Sequence, residues 1–262
     1  MSVFADGRRL VCVREAADAA FWDRHWAAPD LRRELAAGAA GSWVSELTRR
    51  FLPSGSLVLE GGCGTGRNVA ALQGAGYRAV GLDYAEDALR RAREAAPSLD
   101  LRSGDVRRLP FADASLDGYW SLGVIEHFYE GHAGIVAEAR RVLRPGGFFF
   151  LSFPYMSPLR RAKRAAGAYP VWNGTLRETF YQFMLDGRAM RAELERDGFV
   201  LREQRPFDAV KGLKDETPWL KRPLQELYDS RRPGARLLKA GLERALRSVS
   251  AHCLLLVLER RS

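Results

Sequence analysis

Between Leu57 and Phe153, short apolar runs alternate with longer stretches in which apolar residues recur every three to four positions, and Gly, Asp and Pro punctuate the joints. Short bounded runs predict buried strands and the longer period predicts helices, so the pattern is that of repeated βα units around a parallel sheet. Strands are predicted at 57–61, 78–82, 99–103, 118–122 and 147–153. A helix over 85–95 carries Ala88, Leu89, Ala92 and Ala95 on one face. Another over 131–143 carries Ile135, Val136, Ala139, Val142 and Leu143, then stops before Pro145-Gly146-Gly147. Ahead of the first strand the periodicity predicts a helix over 30–51. The aromatic stretch FWDRHW precedes it, and Phe21, Trp22 and Trp26 are expected to staple an N-terminal helix to the sheet rather than close over a ligand.

After Phe153 the pattern breaks twice. A basic, aromatic-rich segment is followed by a helix over 188–197 and a strand from Phe199; a second interruption then runs to AHCLLLVLER, whose apolar centre suits a buried final strand. With 262 residues, 47% of them hydrophobic, the chain can bury a large core and is expected to form a single domain. Its expected parts are a helical cap over 1–52, a ligand-binding half over 53–153, and inserts over 154–185 and 206–248. No apolar run reaches the ~20 residues of a membrane span, and the opening stretch lacks a signal-peptide core, so a cytoplasmic protein is expected. The three cysteines and the spacing of His, Asp and Glu suggest neither a disulfide framework nor a metal site.

The net charge of +9 changes the picture only through its distribution. The segment 154–185 has five Lys/Arg against one acid and 206–248 has ten against six, so these inserts hold nearly all the excess. The first interleaves Tyr155, Tyr169, Trp172, Phe180, Tyr181 and Phe183 with cations, a mixture suited to closing over a partly apolar, anionic substrate. The second contains a helix over 236–249 with Leu237, Leu238, Leu242, Ala245, Leu246 and Val249 assigned to one face beside Arg236, Lys239, Arg244 and Arg247. Such a helix can pack on the sheet or lie on an anionic membrane.

The candidate chemistry begins at VLEGGCGTGRNV, residues 58–69, where a strand ends at Glu60 and glycines at 61, 62, 64 and 66 lead into a helix. Glycines there allow a sharp turn and let a ligand lie against the main chain. The dinucleotide pattern G-x-G-x-x-G is not met, because Arg67 stands where its third glycine would fall. Asp83 ends the next strand, where a carboxylate can accept from both hydroxyls of a ribose, and Asp105 ends the one after, where it can accept from an adenine amine. Glu60, Asp83 and Asp105 at successive strand ends point to an adenosine-containing cofactor.

Over residues 40–205 the chain resembles the class I S-adenosylmethionine-dependent methyltransferases, especially the small-molecule group related to ubiquinone-biosynthesis methyltransferases. EGGCGTG, GLDYA, SGDVRRLPF, LDGYWSLGVIEHF and RVLRPGGFFFLSFP match that family's motifs in order. The resemblance implies a Rossmann-like, doubly wound α/β sheet of order 3-2-1-4-5-7-6 with its last strand antiparallel. It also implies S-adenosylmethionine as cofactor, within the loop of Gly62, Gly64 and Gly66. Glu60 would engage the methionine amino end, Asp83 the ribose, Tyr84 the adenine face, Asp105 and Val106 the adenine edge, and Leu122 the cofactor beyond the fourth strand.

Methyl transfer from a sulfonium is an in-line displacement that needs positioning more than it needs a base. If a base acts, His127 in GVIEHF is the candidate and Glu126 the alternative. Gly123-Val124-Ile125-Glu126 replaces the N-P-P-[YF] tetrad of adenine-amine and glutamine-amide methylation, and no cysteine at that strand end supports covalent pyrimidine C5 methylation. The expected acceptor is a small molecule, lipid-linked or anionic, with peripheral contact to an anionic membrane as a partner to be tested. The alternatives are an RNA methyltransferase, a non-catalytic cofactor-binding module and, less favoured by the glycine spacing, a dinucleotide-dependent oxidoreductase. Oligomeric state and the methylated atom leave no mark in the sequence.

Overall fold

The computed structural model describes residues 2–26, 30–175, 177–230 and 232–262. Met1 and residues 27–29 of the expected cap, and Leu176 and Arg231 of the inserts, lie outside them.

The N-terminus departs from expectation. Instead of a wholly helical cap, β1 (Ser2–Asp6) and β2 (Arg9–Val13) form a hairpin turned at Gly7, whose φ of 53° suits a residue without a side chain. Then come α1 (Ala19–His25), α2 (Leu31–Ala39) and α3 (Trp43–Thr48). The expected helix over 30–51 is thus two helices. Gly41, at φ 129°, breaks it, and Ser42 and Ser45 cap α3 reciprocally.

The βα units follow in chain order: β3 (Leu57–Gly61), α4 (Arg67–Gly74), β4 (Arg78–Asp83), α5 (Glu86–Ala95), β5 (Asp100–Ser103), β6 (Leu116–Leu122), α6 (Ala133–Val142) and β7 (Leu143–Pro154). The first insert holds α7 (Pro158–Ala165) and β8 (Phe180–Met184). Next are α8 (Gly187–Arg196) and β9 (Phe199–Phe207). The second insert is helical, with α9 (Ala209–Glu216), α10 (Lys221–Asp229) and α11 (Pro233–Ser250), and β10 (Cys253–Arg260) closes the chain.

Seven strands form one sheet in the order β5-β4-β3-β6-β7-β10-β9, with β10 antiparallel to both neighbours. Numbered within that sheet, this is the predicted 3-2-1-4-5-7-6. Alternate residues serve the two faces. Leu59, Tyr119, Phe149 and Leu256 pack with Ile135, Val136 and Leu194 on one side. Val58, Trp120, Phe150 and Val257 pack with Val44, Val69 and Leu89 on the other. Trp120 stacks on Phe150 with ring centroids 4.3 Å apart and donates Nε1–H to Thr48 Oγ1, so its one polar atom is satisfied.

A second, three-stranded sheet of order β1-β2-β8 was not foreseen. Leu10 to Val13 pair antiparallel with Met184 to Phe180, joining the N-terminal hairpin to the first insert. Phe180 and Phe183 are therefore core residues, and Tyr155 is buried beside them.

Candidate active site

The carboxyl ends of β3, β4 and β6, with the loop after β5, surround a cavity of about 530 Å³. This is the edge at which an open α/β sheet binds ligands, because parallel strands deliver successive loops to one side. Gly62, Asp83, Tyr84, Asp105, Leu122 and His127 all line it. Gly64 and Gly66 are not among the lining residues, but they give the loop after β3 its left-handed backbone, at φ 52° and 77°. Val106 is not among the lining residues, and its side chain belongs to the core.

Glu60 ends β3 behind the glycine loop and is buried. One carboxyl oxygen accepts from Asn68 Nδ2 at 2.7 Å, while the other, Oε2, has no partner. Burial pushes this carboxyl up to about 8, partly opposed by the Asn68 hydrogen bond, so near neutral pH it holds a proton unless a cation arrives. Asp83 accepts from Gly64 N–H at 2.7 Å and Ala85 N–H at 2.9 Å, which fixes the carboxylate at the cavity wall.

Asp105 reaches the cavity already engaged. Arg107 Nη2 donates to it at 2.6 Å and Arg107 Nε to both its oxygens, and this pairing holds its carboxyl below the usual carboxylate range. Arg107, a lining residue that sequence reasoning missed, also lies 5.2 Å from the Phe128 ring centroid. Tyr84 donates its hydroxyl to the Ala17 carbonyl at 3.0 Å, tying the β4 end to the segment before α1.

That segment is the main correction to the expected roles. Trp22 and Trp26 line the cavity rather than merely stapling a helix. A Cβ on Gly64 would meet the Trp26 indole at 2.6 Å, so the loop position is glycine for close approach as well as for its φ. Asp18 caps α1, and Asp23 accepts from Ala88 N–H at 3.0 Å, which docks α1 on α5. Phe21 is buried edge-on to Tyr181.

His127 stands in a 3-10 turn, Ile125–His127, after β6. Its Nδ1 lies 2.7 Å from the Tyr181 carbonyl oxygen, which can only accept, so Nδ1 carries the proton and Nε2 bears the lone pair. Trp22 sits edge-on at 4.9 Å, and burial lowers the imidazole to about 4. The ring is therefore neutral in the ordinary pH range. Glu126 Oε1 lies 3.9 Å from Nε2, its Oε2 is buried without a partner, and burial raises this carboxyl to about 8.

Much of the inserts' positive charge is committed internally. Arg160 is fully buried against Glu216 at 2.9 Å, and Glu216 also accepts from Lys163 and Tyr169. Lys211 pairs with Asp215, Lys214 donates to Gln225, and Lys239 lies 3.6 Å from the Tyr228 ring centroid. These cations hold helices together instead of forming a free patch over the cavity.

The family model for a methyltransferase domain matches residues 59–151. A Mycolicibacterium smegmatis protein named a probable S-adenosylmethionine-dependent methyltransferase is 42% identical over 101 residues, covering 38% of this chain and 39% of its own. A malonyl-[acyl-carrier protein] O-methyltransferase from Erwinia pyrifoliae is 38% identical over 90 residues, covering 34% of each chain. The matched part thus spans well under half the length of these relatives. A solved S-adenosylmethionine-dependent methyltransferase from Mesorhizobium loti shares the fold, with a TM-score of 0.56 at 18% identity over 85% of this chain and all of that one.

Proposed function

We propose that this chain, which carries a methyltransferase domain over residues 59–151, uses S-adenosylmethionine to methylate a small acceptor that is lipid-linked or anionic. The observation that carries the proposal is that acids from three neighbouring strands gather at one sheet edge: Asp83 and Asp105 line the cavity, and Glu60 is buried near the end of the strand that leads into the glycine loop. The unpartnered Glu60 oxygen fits a cationic amino end, which would satisfy it and favour its ionised form. Asp83, held by two backbone N–H groups, suits a ribose diol. Tyr84 and Leu122 would flank the adenosine, and Asp105 with its Arg107 partner the adenine edge.

When bound, the cofactor supplies an electrophilic methyl group with its own leaving group. What remains for this chain is to orient the acceptor and keep water out, a contribution worth up to ~7 to 11 kcal/mol in favourable systems. Trp22, Phe128 and Tyr129 give the cavity an aromatic wall for a partly apolar acceptor. His127 is the base: its neutral ring presents the Nε2 lone pair, while the Tyr181 carbonyl fixes the tautomer. A small-molecule acceptor also accords with the motif similarity to ubiquinone-biosynthesis methyltransferases. One relative is named for methylating malonyl-[acyl-carrier protein]. The internal pairing of Arg160, Lys163, Lys211, Lys214 and Lys239 weakens the case for an RNA acceptor.

Calorimetry with S-adenosylmethionine, S-adenosylhomocysteine and NADH, on the wild type and Asp83→Ala, tests the proposal. Binding of the first two, weakened at least tenfold by the substitution, is expected from loss of a charged hydrogen-bond acceptor. Binding of NADH alone would overturn it.

A further inference from the structure

The apolar positions of α11 divide between two faces. Leu242 and Leu246 turn toward the protein, whereas Leu237, Leu238 and Val249 are 76%, 57% and 46% exposed. At 100° per residue these three fall within one outward arc of about 120°, with Leu237 and Leu238 in the first turns of the helix, Val249 in its last turn, and the small residues Gly241, Ala245 and Ser248 exposed between them. Solvent-facing leucines at both positions 237 and 238 are unfavourable unless something apolar covers them.

The charges on the helix are sorted as well. Its one acid, Glu243, faces inward and accepts from the N–H groups of Ala209 and Val210. Lys239 is half-buried against Tyr228. The fully exposed charges on α11 are Arg236, Arg244 and Arg247, all cationic. An exposed apolar arc with arginines along its solvent-facing side matches a surface that is apolar beneath and anionic at its rim, which describes a bilayer with acidic headgroups. RNA would meet the arginines but leave the leucines in water, and no aromatic ring lies on this helix to stack on a base.

We propose that α11 docks this protein on the surface of an anionic phospholipid membrane, with Leu237, Leu238 and Val249 entering the interface and Arg236, Arg244 and Arg247 meeting lipid phosphates. None of the helices among the described residues is long and apolar enough to cross a membrane, so the contact is peripheral. The placement also bears on access to the cavity. α11 leads directly into β10, whose first residue pairs with Pro154, so the C-terminal end of the helix lies at the same edge of the sheet as the cavity, although no α11 residue lines it. An acceptor held in a bilayer would be approached from that edge.

Vesicle sedimentation in the absence of cofactor and acceptor tests the docking independently of the enzymatic proposal. The wild type should pellet with phosphatidylcholine vesicles containing about 30% phosphatidylglycerol, but not with pure phosphatidylcholine, and should be released at about 0.5 M salt. Leu237→Asp/Leu238→Asp, and separately Arg244→Glu/Arg247→Glu, should weaken binding at least about tenfold. Both pairs are exposed, so their melting temperatures should match the wild type; Leu237→Ala/Leu238→Ala gives a milder version of the first test. Equal binding to both vesicle types, or undiminished binding by all three variants, would overturn the proposal. So would retention on RNA without binding to vesicles, or a dimer in sedimentation velocity that Leu237→Asp/Leu238→Asp dissolves, since the arc would then belong to a second copy.

Discussion

Replacing Glu60 by Gln should make the free protein more stable and its cofactor weaker-binding, two effects that a merely structural carboxyl would not combine. In the folded chain burial pushes Glu60 up to about 8, against 4.5 for the exposed group. Between those values the folded state holds a proton that the unfolded state has lost, so this residue's contribution to stability falls as pH rises through the window. At 1.36 kcal/mol per unit, the cost is about 3 kcal/mol at pH 7 and about 5 kcal/mol once pH exceeds 8. Glutamine keeps the acceptor for Asn68 Nδ2 and imitates the neutral acid, but it does not titrate. The variant should therefore melt about 6 to 12 °C above the wild type near pH 7, and the two curves should converge near pH 4.5. Differential scanning calorimetry across that range reads the effect directly. The bound cofactor's amino group should in turn draw the proton off Glu60. Titration calorimetry in buffers of different ionisation enthalpy should then show nearly one proton released by the wild type and none by the variant, whose affinity falls at least tenfold. A variant that melts below the wild type at pH 8, or a difference independent of pH, would refute the assignment of a protonated buried carboxyl.

His127→Gln should lower kcat by about 10² to 10⁴ once an acceptor is in hand while leaving cofactor affinity within about threefold, and unchanged turnover would remove the base. Because burial lowers His127 to about 4, kcat of the wild type at saturating cofactor should stay flat from about pH 7.5 down to about pH 5.5 instead of falling near the ordinary histidine value. Glu216→Ala strands the fully buried Arg160 and should cost about 3 to 5 kcal/mol, measured as a drop in melting temperature of roughly 10 °C; a shift under 2 °C would show that Arg160 finds another partner.

The strands and helices of residues 57–153 were legible because their signals are local. For β3 and β4 the strand run, its acid and the following helix occur within 18 residues each, 57–74 and 78–95, and the sheet order followed from the resemblance those motifs carry. The hairpin of β1 and β2 was missed despite Asp6-Gly7 between two apolar runs, a recognised turn signal. Its pairing with β8 lies beyond any local pattern. Periodicity assigned the apolar residues of α11 to one face, but it could not tell which arc would meet α9 and which would meet solvent. Trp22 and Trp26 read equally as packing or lining, because an indole serves both and only the approach of Trp26 to Gly64 separates them. The burial of Glu126 likewise depends on what the fold brings over it.

The small sheet imposes an order on biosynthesis. β2 is its central strand, with β1 on one side and β8 on the other, so an edge presented by residues 10–13 stays open until residues 180–184 have left the ribosome. At usual elongation rates that interval is roughly ten to thirty seconds, during which β2, paired with β1 alone, keeps one apolar edge open. α1 follows β2 in the chain, so the part of the cavity wall formed by Trp22 and Trp26 is joined directly to this late-completed sheet.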